Sequence, residues 1–552
     1  MRREWLVALV LLSVQAGLLS YAAVTDGMTY DELLYVASGY RQLALGDHRF
    51  GAEHPPLAQV LSAIPLLPLD LKVRDLRASD GAKGWQWAYD FVHVDNAGRP
   101  LLILARLPVV GLSLLLSLLL WRWSREIAGP RAGLAALTLA VFHPSLLAHG
   151  HLVTTDMAGA ITMLAASWMM WRWCQAPGAG RALSVALALG VGLATRLTAS
   201  VLIPVFLVLC AERLRAENPR DRSRFLLQIV LACLILVPLI VWAAYGFRYG
   251  AWPGEPEPRI GASVWAGAIS GTAGARILSF LHSLHVLPAG YLASMEAYLI
   301  KSAIGHQAYL LGQISANGWW YYYLAALLVK NTPGFLVALM VAAASWRRLS
   351  PEAARHWLLP AVVIFVAASL SRVQVGERYI LAFYPYAILI IASMTPKRLA
   401  EKGGMVLAIG VLLLHAVPGT WAAREGQISY FNGLVGRDMA HLVLADSNLD
   451  WGQDLPRLQR WSQAHPERRL QLAYWGTDSP DAYGLVREDL PGGGLDPVLH
   501  PPERPMTGWV AISPTLAVGL YPPPQMLLAY RSLLKRTPDD RAGVFLIYNL
   551  GP

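Results

Sequence analysis

The chain has 552 residues, 55% of them hydrophobic and only 15% charged, with a formal net charge of +10 and a mean hydropathy of +0.41. This composition excludes a disordered chain, a disulfide scaffold and an ordinary soluble domain, and predicts a polytopic α-helical membrane protein. The Lys and Arg excess sits in short loops between apolar runs, so it reads as topology and argues against a nucleic-acid partner.

Apolar spans are expected at about 5–24, 101–121, 132–148, 156–173, 182–195, 197–211, 225–245, 321–346, 357–371, 379–394 and 405–421, about eleven in all. The N-terminal run is long enough to cross the hydrocarbon and reads as an uncleaved first helix. Residues 182–195 and 197–211 are separated only by Thr195 and Arg196 and predict a tight hairpin. Lys330-Asn331-Thr332-Pro333 is expected to kink or break the span around it. Cys174, Cys210 and Cys233 have no metal or disulfide spacing and read as packing residues.

Basic groups at Arg2-Arg3, Arg122/Arg125/Arg131, Arg172/Arg181, 212–224, 345–355 and 396–402 all fall on one side if the N-terminus is cytoplasmic. The other side then receives three large segments, 25–99, 246–320 and 422–552, so the protein is expected in an inner (plasma) membrane. Residues 1–421 form the membrane domain in this reading. Residues 422–552 alternate short apolar runs (HLVLAD, RLQLAYWG, GWVAISP, VFLIYNL) with helical stretches, which predicts a small extracytoplasmic α/β domain.

The first outer segment carries the candidate chemistry. In a helix over 29–46, at about 100° per residue, Asp31, Tyr35, Ser38 and Gln42 share one face. Leu33, Val36, Ala37, Tyr40 and Ala44 lie opposite. The pattern predicts a helix on the membrane surface, apolar side down, with Asp31 facing an aqueous cavity. An acidic first turn complementing the helix dipole is the plainer alternative. Pro55 and Pro56 hold His54 in a rigid turn before a second helix.

Asp156 opens the fourth span behind Thr154 and Thr155, which read as caps. With Asp31, Glu32, His149 and His151 it leaves a divalent cation possible, although the spacing is no zinc signature. Nothing in the sequence requires a cofactor, and any metal is unknown. Arg196, Arg378 and Lys330 are cations set apart from the basic loops, against the topology bias, and a phosphate is their natural partner. His306 is a polar group in the loop before the aromatic cluster Trp319 to Tyr323.

Five motifs, in order over about residues 20–395, resemble the protein O-mannosyltransferase-like glycosyltransferases. They are the Asp31-Glu32 dyad, the His54-Pro55-Pro56 turn, the Asp156 segment, the Leu-Pro-x-x-Tyr loop leading to YLLGQxSxxGWWYYY, and the GxRYILxxYP span. These are GT-C membrane enzymes with polyprenyl-phosphate sugar donors, and the lipid A aminoarabinose transferases are cousins. The resemblance implies a catalytic pair at Asp31 and Glu32, with Asp31 the base and Asp156 a further catalytic candidate. Arg378, Arg196, Lys330 and His54 become candidates for the donor phosphate, and Tyr35 and His306 for sugar or acceptor contacts.

Two positions depart from relatives. Lys often stands where this chain has Arg196, and the aminoarabinose transferases have Lys-Pro-Pro where it has His54. The tail DSNLDWGQDLPRL (446–458) resembles one attached to bacterial members, with no chemistry assigned to it. The resulting expectation is an inverting glycosyltransferase acting outside the membrane on a protein, lipid or glycan hydroxyl, with membrane lipids as its surroundings. A lipid-linked-sugar flippase or an envelope assembly scaffold is the alternative.

Overall fold

The computed structural model describes residues 2–51, 53–74, 84–251, 266–399, 404–494 and 506–551. Parts of the segments 25–99, 246–320 and 422–552 and of the basic run 396–402 lie outside the described residues. Among the described residues, five helices are long and apolar enough to cross a membrane: Arg3–Thr25, Gly98–Ala128, Leu197–Arg215, Pro219–Ala244 and Pro351–Ser369. Shorter apolar helices include Pro130–Val141, Ala179–Thr195, Pro333–Ala344 and Phe383–Met394. The mostly helical architecture is that of a polytopic membrane protein.

Local signals explain the helix boundaries. Proline stands in the first turn of the helices starting at Pro130, Pro219, Pro333 and Pro351, where its missing N–H costs nothing. Thr154, Asn218 and Thr332 cap with their side chains. The expected span 321–346 is indeed two helices, Tyr322–Lys330 and Pro333–Ala344, broken at Asn331 and Thr332. Trp121, Trp123, Trp173 and Trp357 are fully buried between the helices.

Four contacts join helices away from the cavity. Arg125 pairs with Glu4 at 3.4 Å and Arg355 with Glu212 at 3.7 Å. The Trp168 indole donates to Glu126, and Arg213 Nε donates to the Cys174 carbonyl. Asp31, Asp156, Arg196 and Arg378 meet around a common cavity elsewhere.

The helix Glu32–Leu45 corrects one expectation. It is not a membrane-surface helix, because residues from both faces are buried in protein: Leu33 and Val36 on one, Tyr35, Ser38 and Gln42 on the other. Gln59 of the helix Leu57–Ala63 accepts from Ser38 Oγ at 2.8 Å and Gln42 Nε2 at 3.0 Å. A polar face therefore packs against a polar partner, which periodicity alone cannot distinguish from a solvated face. The helices touch at Gly39, where a Cβ would sit 2.3 Å from the Gln59 carbonyl oxygen.

Near the C-terminus a five-stranded mixed sheet runs in the order Arg487–Asp489, Leu470–Ala473, Trp509–Ile512, Phe545–Asn549, Asp540–Ala542. The first three strands are parallel and the last two pair antiparallel. The helix Leu455–Ala464 covers it through Leu455, Leu458 and Trp461. HLVLAD is not a strand: the helix Gly436–Val443 takes its first half, and Leu444 makes one bridge to Leu310.

Gly39→Ala should force the helices Glu32–Leu45 and Leu57–Ala63 apart and cost about 1–3 kcal/mol, read as a lowered thermal midpoint of the purified protein.

Candidate active site

A cavity of about 680 Å³ opens where the segment around Asp31, the apolar helices and the C-terminal segment meet. Asp31, Tyr35, His54, Asp156, Arg196, His306 and Arg378 all line it. Most of the candidates separated in sequence by up to 347 positions thus converge.

Asp31 stands at the N-cap position of its helix but makes no capping hydrogen bond with its side chain. Arg378 Nη1 instead donates to its Oδ2 at 2.7 Å. The same nitrogen lies 3.7 Å from Asp156 Oδ2. Asp156 is itself ion-paired to Arg196, whose Nη1 also lies 3.3 Å from the Thr155 hydroxyl. One carboxylate thus sits between two guanidinium groups. Arg378 lies 4.2 Å over the Trp451 ring, a cation–π contact that fixes its plane. Arg378 Nε and Asp156 Oδ2 are buried and have no hydrogen-bond partner among the described residues.

Glu32 is a correction. Its side chain is wholly buried away from the cavity and pairs with Arg106 at 2.6 Å. It also accepts from the Thr29 and Val153 amides, both at 2.9 Å. Burial alone would raise its carboxyl, but Arg106 and these donors hold it below its ordinary value. A carboxylate so fully engaged has no capacity left for a substrate proton. Arg106 also donates to the carbonyls of Ala23, Asp26 and Gly27, so the pair anchors the segment leading to Asp31.

Lys330 is the second correction. Its ammonium donates to the carbonyls of Ile428, Tyr430 and Asn448 at 2.6–2.7 Å. All three donors are used, so it offers nothing to a phosphate. His54 lines the cavity, but burial, reinforced by the Arg196 charge, lowers its pKa to about 4. At neutral pH it is an uncharged imidazole. His306 Nδ1 lies 3.1 Å from the Gln307 carbonyl and 3.3 Å from the Tyr521 hydroxyl. The metal expectation finds no ligand set: His151 faces Asp26 at 3.4 Å, and no group of three His, Cys, Asp or Glu is placed to hold an ion among the described residues.

Two groups were missed. Lys301, ion-paired to Glu53, lines the cavity in place of Lys330. Its signal was an isolated cation in the last turn of the helix Ala289–Ile304. The second is the turn DSNLDWGQD (446–454), which grips both halves of the site. Gly27 donates to the Gln453 carbonyl at 2.8 Å and Tyr30 to the Trp451 carbonyl at 2.9 Å, next to Asp31. The Glu377 amide donates to Asn448 Oδ1, and Ser447 Oγ to the Val375 carbonyl, next to Arg378. A Cβ on Gly376 would sit 2.2 Å from Ser447 Oγ.

Glu32→Gln should cost about 3–5 kcal/mol by leaving Arg106 buried without its counter-charge, whereas Asp31→Asn should stay within about 1 kcal/mol; thermal unfolding compares them. The folded Glu32 carboxyl titrates below its ordinary 4.5, so the pair's contribution is complete above that pH and is lost as the pH falls through the lower folded value.

The sequence model of the dolichyl-phosphate-mannose-protein mannosyltransferase family matches residues 102–242. No curated protein matches the chain. Among solved structures, ArnT from Cupriavidus metallidurans bound to undecaprenyl phosphate is 14% identical, covering 98% of this chain and 97% of that one at a TM-score of 0.48. The apo form of the same protein is 15% identical over the same shares, with a TM-score of 0.33. The Archaeoglobus fulgidus oligosaccharyltransferase in complex with zinc and sulfate is 11% identical, over 87% of this chain and 62% of that one, with a TM-score of 0.43. The chain is thus a membrane protein similar, over residues 102–242, to the dolichyl-phosphate-mannose-protein mannosyltransferases.

Proposed function

We propose that the chain is a membrane glycosyltransferase that moves a sugar from a polyprenyl-phosphate donor to an acceptor hydroxyl outside the membrane, with its N-terminus cytoplasmic. One observation carries the reading: the cavity is built for an amphiphile. Its wall from the membrane helices is apolar, with Leu197, Val201, Pro204, Ile364 and Ala367. The rest of its lining is polar and aromatic, and Arg196, next to Leu197 in the chain, is joined through Asp156 to Arg378, which packs on Trp451. That order suits a lipid tail, a phosphate and a sugar in turn. The matched family, whose description names a lipid-phosphate sugar, supports it.

Arg378 binds the donor phosphate, with Arg196 beside it, since guanidinium groups grip phosphate bidentately. Arg378 Nε, which has no hydrogen-bond partner among the described residues, is a further donor for that oxygen. Asp156 positions both arginines. Engagement of Arg378 by phosphate releases Asp31 from its ion pair. Asp31 then takes the proton of the acceptor hydroxyl as that oxygen bonds to the anomeric carbon. The bond from that carbon to the phosphate oxygen breaks, and polyprenyl phosphate leaves with its charge held by the arginines. Direct displacement inverts the anomeric centre.

Asp31→Asn should lower transfer of radiolabelled sugar from a polyprenyl-phosphate donor by roughly 100-fold or more while retaining donor binding. Arg378→Ala should raise the half-saturating donor concentration about tenfold or more. Near-normal turnover in the first variant removes Asp31 as base. A wild-type protein that moves the labelled lipid across vesicles without cleaving it is a transporter instead.

A further inference from the structure

In the transfer reading the donor engages the apolar lining and the groups around Arg196, Arg378 and Asp31, and a second aromatic stretch of the lining has no part in it. Asp446, Trp475 and Tyr521, all from the C-terminal segment, form that stretch together with Tyr30 and Trp85. The rings form a continuous run. Tyr30 stacks on Trp475 at 5.2 Å, Trp475 stacks on Tyr521 at 5.5 Å, and Trp85 meets Tyr30 edge-on at 5.3 Å. At one end the Tyr521 hydroxyl donates to Asp446 Oδ2 at 2.8 Å. Asp446 Oδ1 accepts from the Ser447 amide at 2.6 Å, leaving capacity on a carboxylate that accepts about four hydrogen bonds.

The backbone marks the same pair. Asp446 has φ +58° and Tyr521 φ +66°. Left-handed backbone is uncommon outside glycine and an outlier for a bulky side chain. It persists where the surroundings over-determine it, and such positions cluster at ligand sites. Here both residues of one hydrogen-bonded pair adopt it, and both face the cavity.

We propose that this wall is an acceptor subsite and that it takes a sugar ring, so that the acceptor is a carbohydrate. The proposal rests on the transfer reading above. A pyranose presents polarised C–H groups on one face and hydroxyls around its rim. The C–H face suits the negative faces and adaptable edges of aromatic rings. The hydroxyls suit Asp446, which holds one of them toward Asp31. A peptide acceptor would call for main-chain partners, such as a free sheet edge. The edge strands Arg487–Asp489 and Asp540–Ala542 contribute nothing to the cavity lining.

The test uses the full-length protein in vesicles, a radiolabelled undecaprenyl-phosphate sugar as donor, and an envelope fraction as the source of acceptor. Undecaprenyl phosphate binding is measured separately. In the wild type, label should enter a protease-resistant, glycosidase-sensitive product. Asp446→Asn and Tyr521→Phe should raise the half-saturating amount of envelope fraction at least tenfold, leaving the half-saturating donor concentration within twofold. Label released by protease as glycopeptide overturns the carbohydrate class. Unchanged acceptor dependence in both variants overturns the subsite while the transfer reading stands. A wild type that binds undecaprenyl phosphate but transfers nothing overturns both.

Discussion

The ion pair between Asp31 and Arg378 is the contact on which the site depends. Its partners come from opposite parts of the chain, and neither is held by its own helix alone. The segment before Asp31 is tied to Arg106 on one side and to the turn 446–454 on the other. The segment before Arg378 is tied to that same turn through Asn448 and Ser447. Lys330 pulls the turn inward by the Asn448 carbonyl. A short stretch near the C-terminus is thus the jig in which two distant charges are brought within hydrogen-bonding distance.

The charges of the site divide into those that build and those that are available. Glu32–Arg106 and Lys330 are buried with their hydrogen-bonding capacity used, and their loss would strand a charge or several carbonyls in a dry interior. Arg378 and Asp156 each keep a polar atom without a hydrogen-bond partner among the described residues. Two guanidiniums around one aspartate leave the cluster net cationic apart from Asp31, which is the electrostatic state that suits an incoming phosphate. The apolar wall on the membrane side and the aromatic wall on the other give the cavity a direction.

Much of this was legible in the chain. Asp156, Arg196 and Arg378 stood out as charges at the ends of apolar spans, and Asp31 on the polar face of the helix over 29–46, with helix capping and the helix dipole as the plainer alternatives for the two acids. The break at Pro333 followed from proline chemistry. Glu32 and Lys330 were misread because a charge beside a membrane looks the same in sequence whether it faces a cavity or serves as an internal tie. Lys301 and Asp446 lie in stretches that stood out as motifs, but nothing local distinguishes these two side chains there, and only packing brings them to the cavity.

The sequence by itself determined the apolar periodicity, the helix starts and stops, and the segregation of charge, because these are local properties of neighbouring residues. It also carried the ordered motifs that resemble a glycosyltransferase family. The tertiary structure decided which member of the Asp31-Glu32 dyad faces the cavity and that the helix after it is buried rather than lying on lipid. It also decided that the C-terminal segment supplies a wall of the site. Adjacent residues on a helix point about 100° apart, so a dyad cannot share one environment. Which environment each side chain receives depends on partners hundreds of residues away.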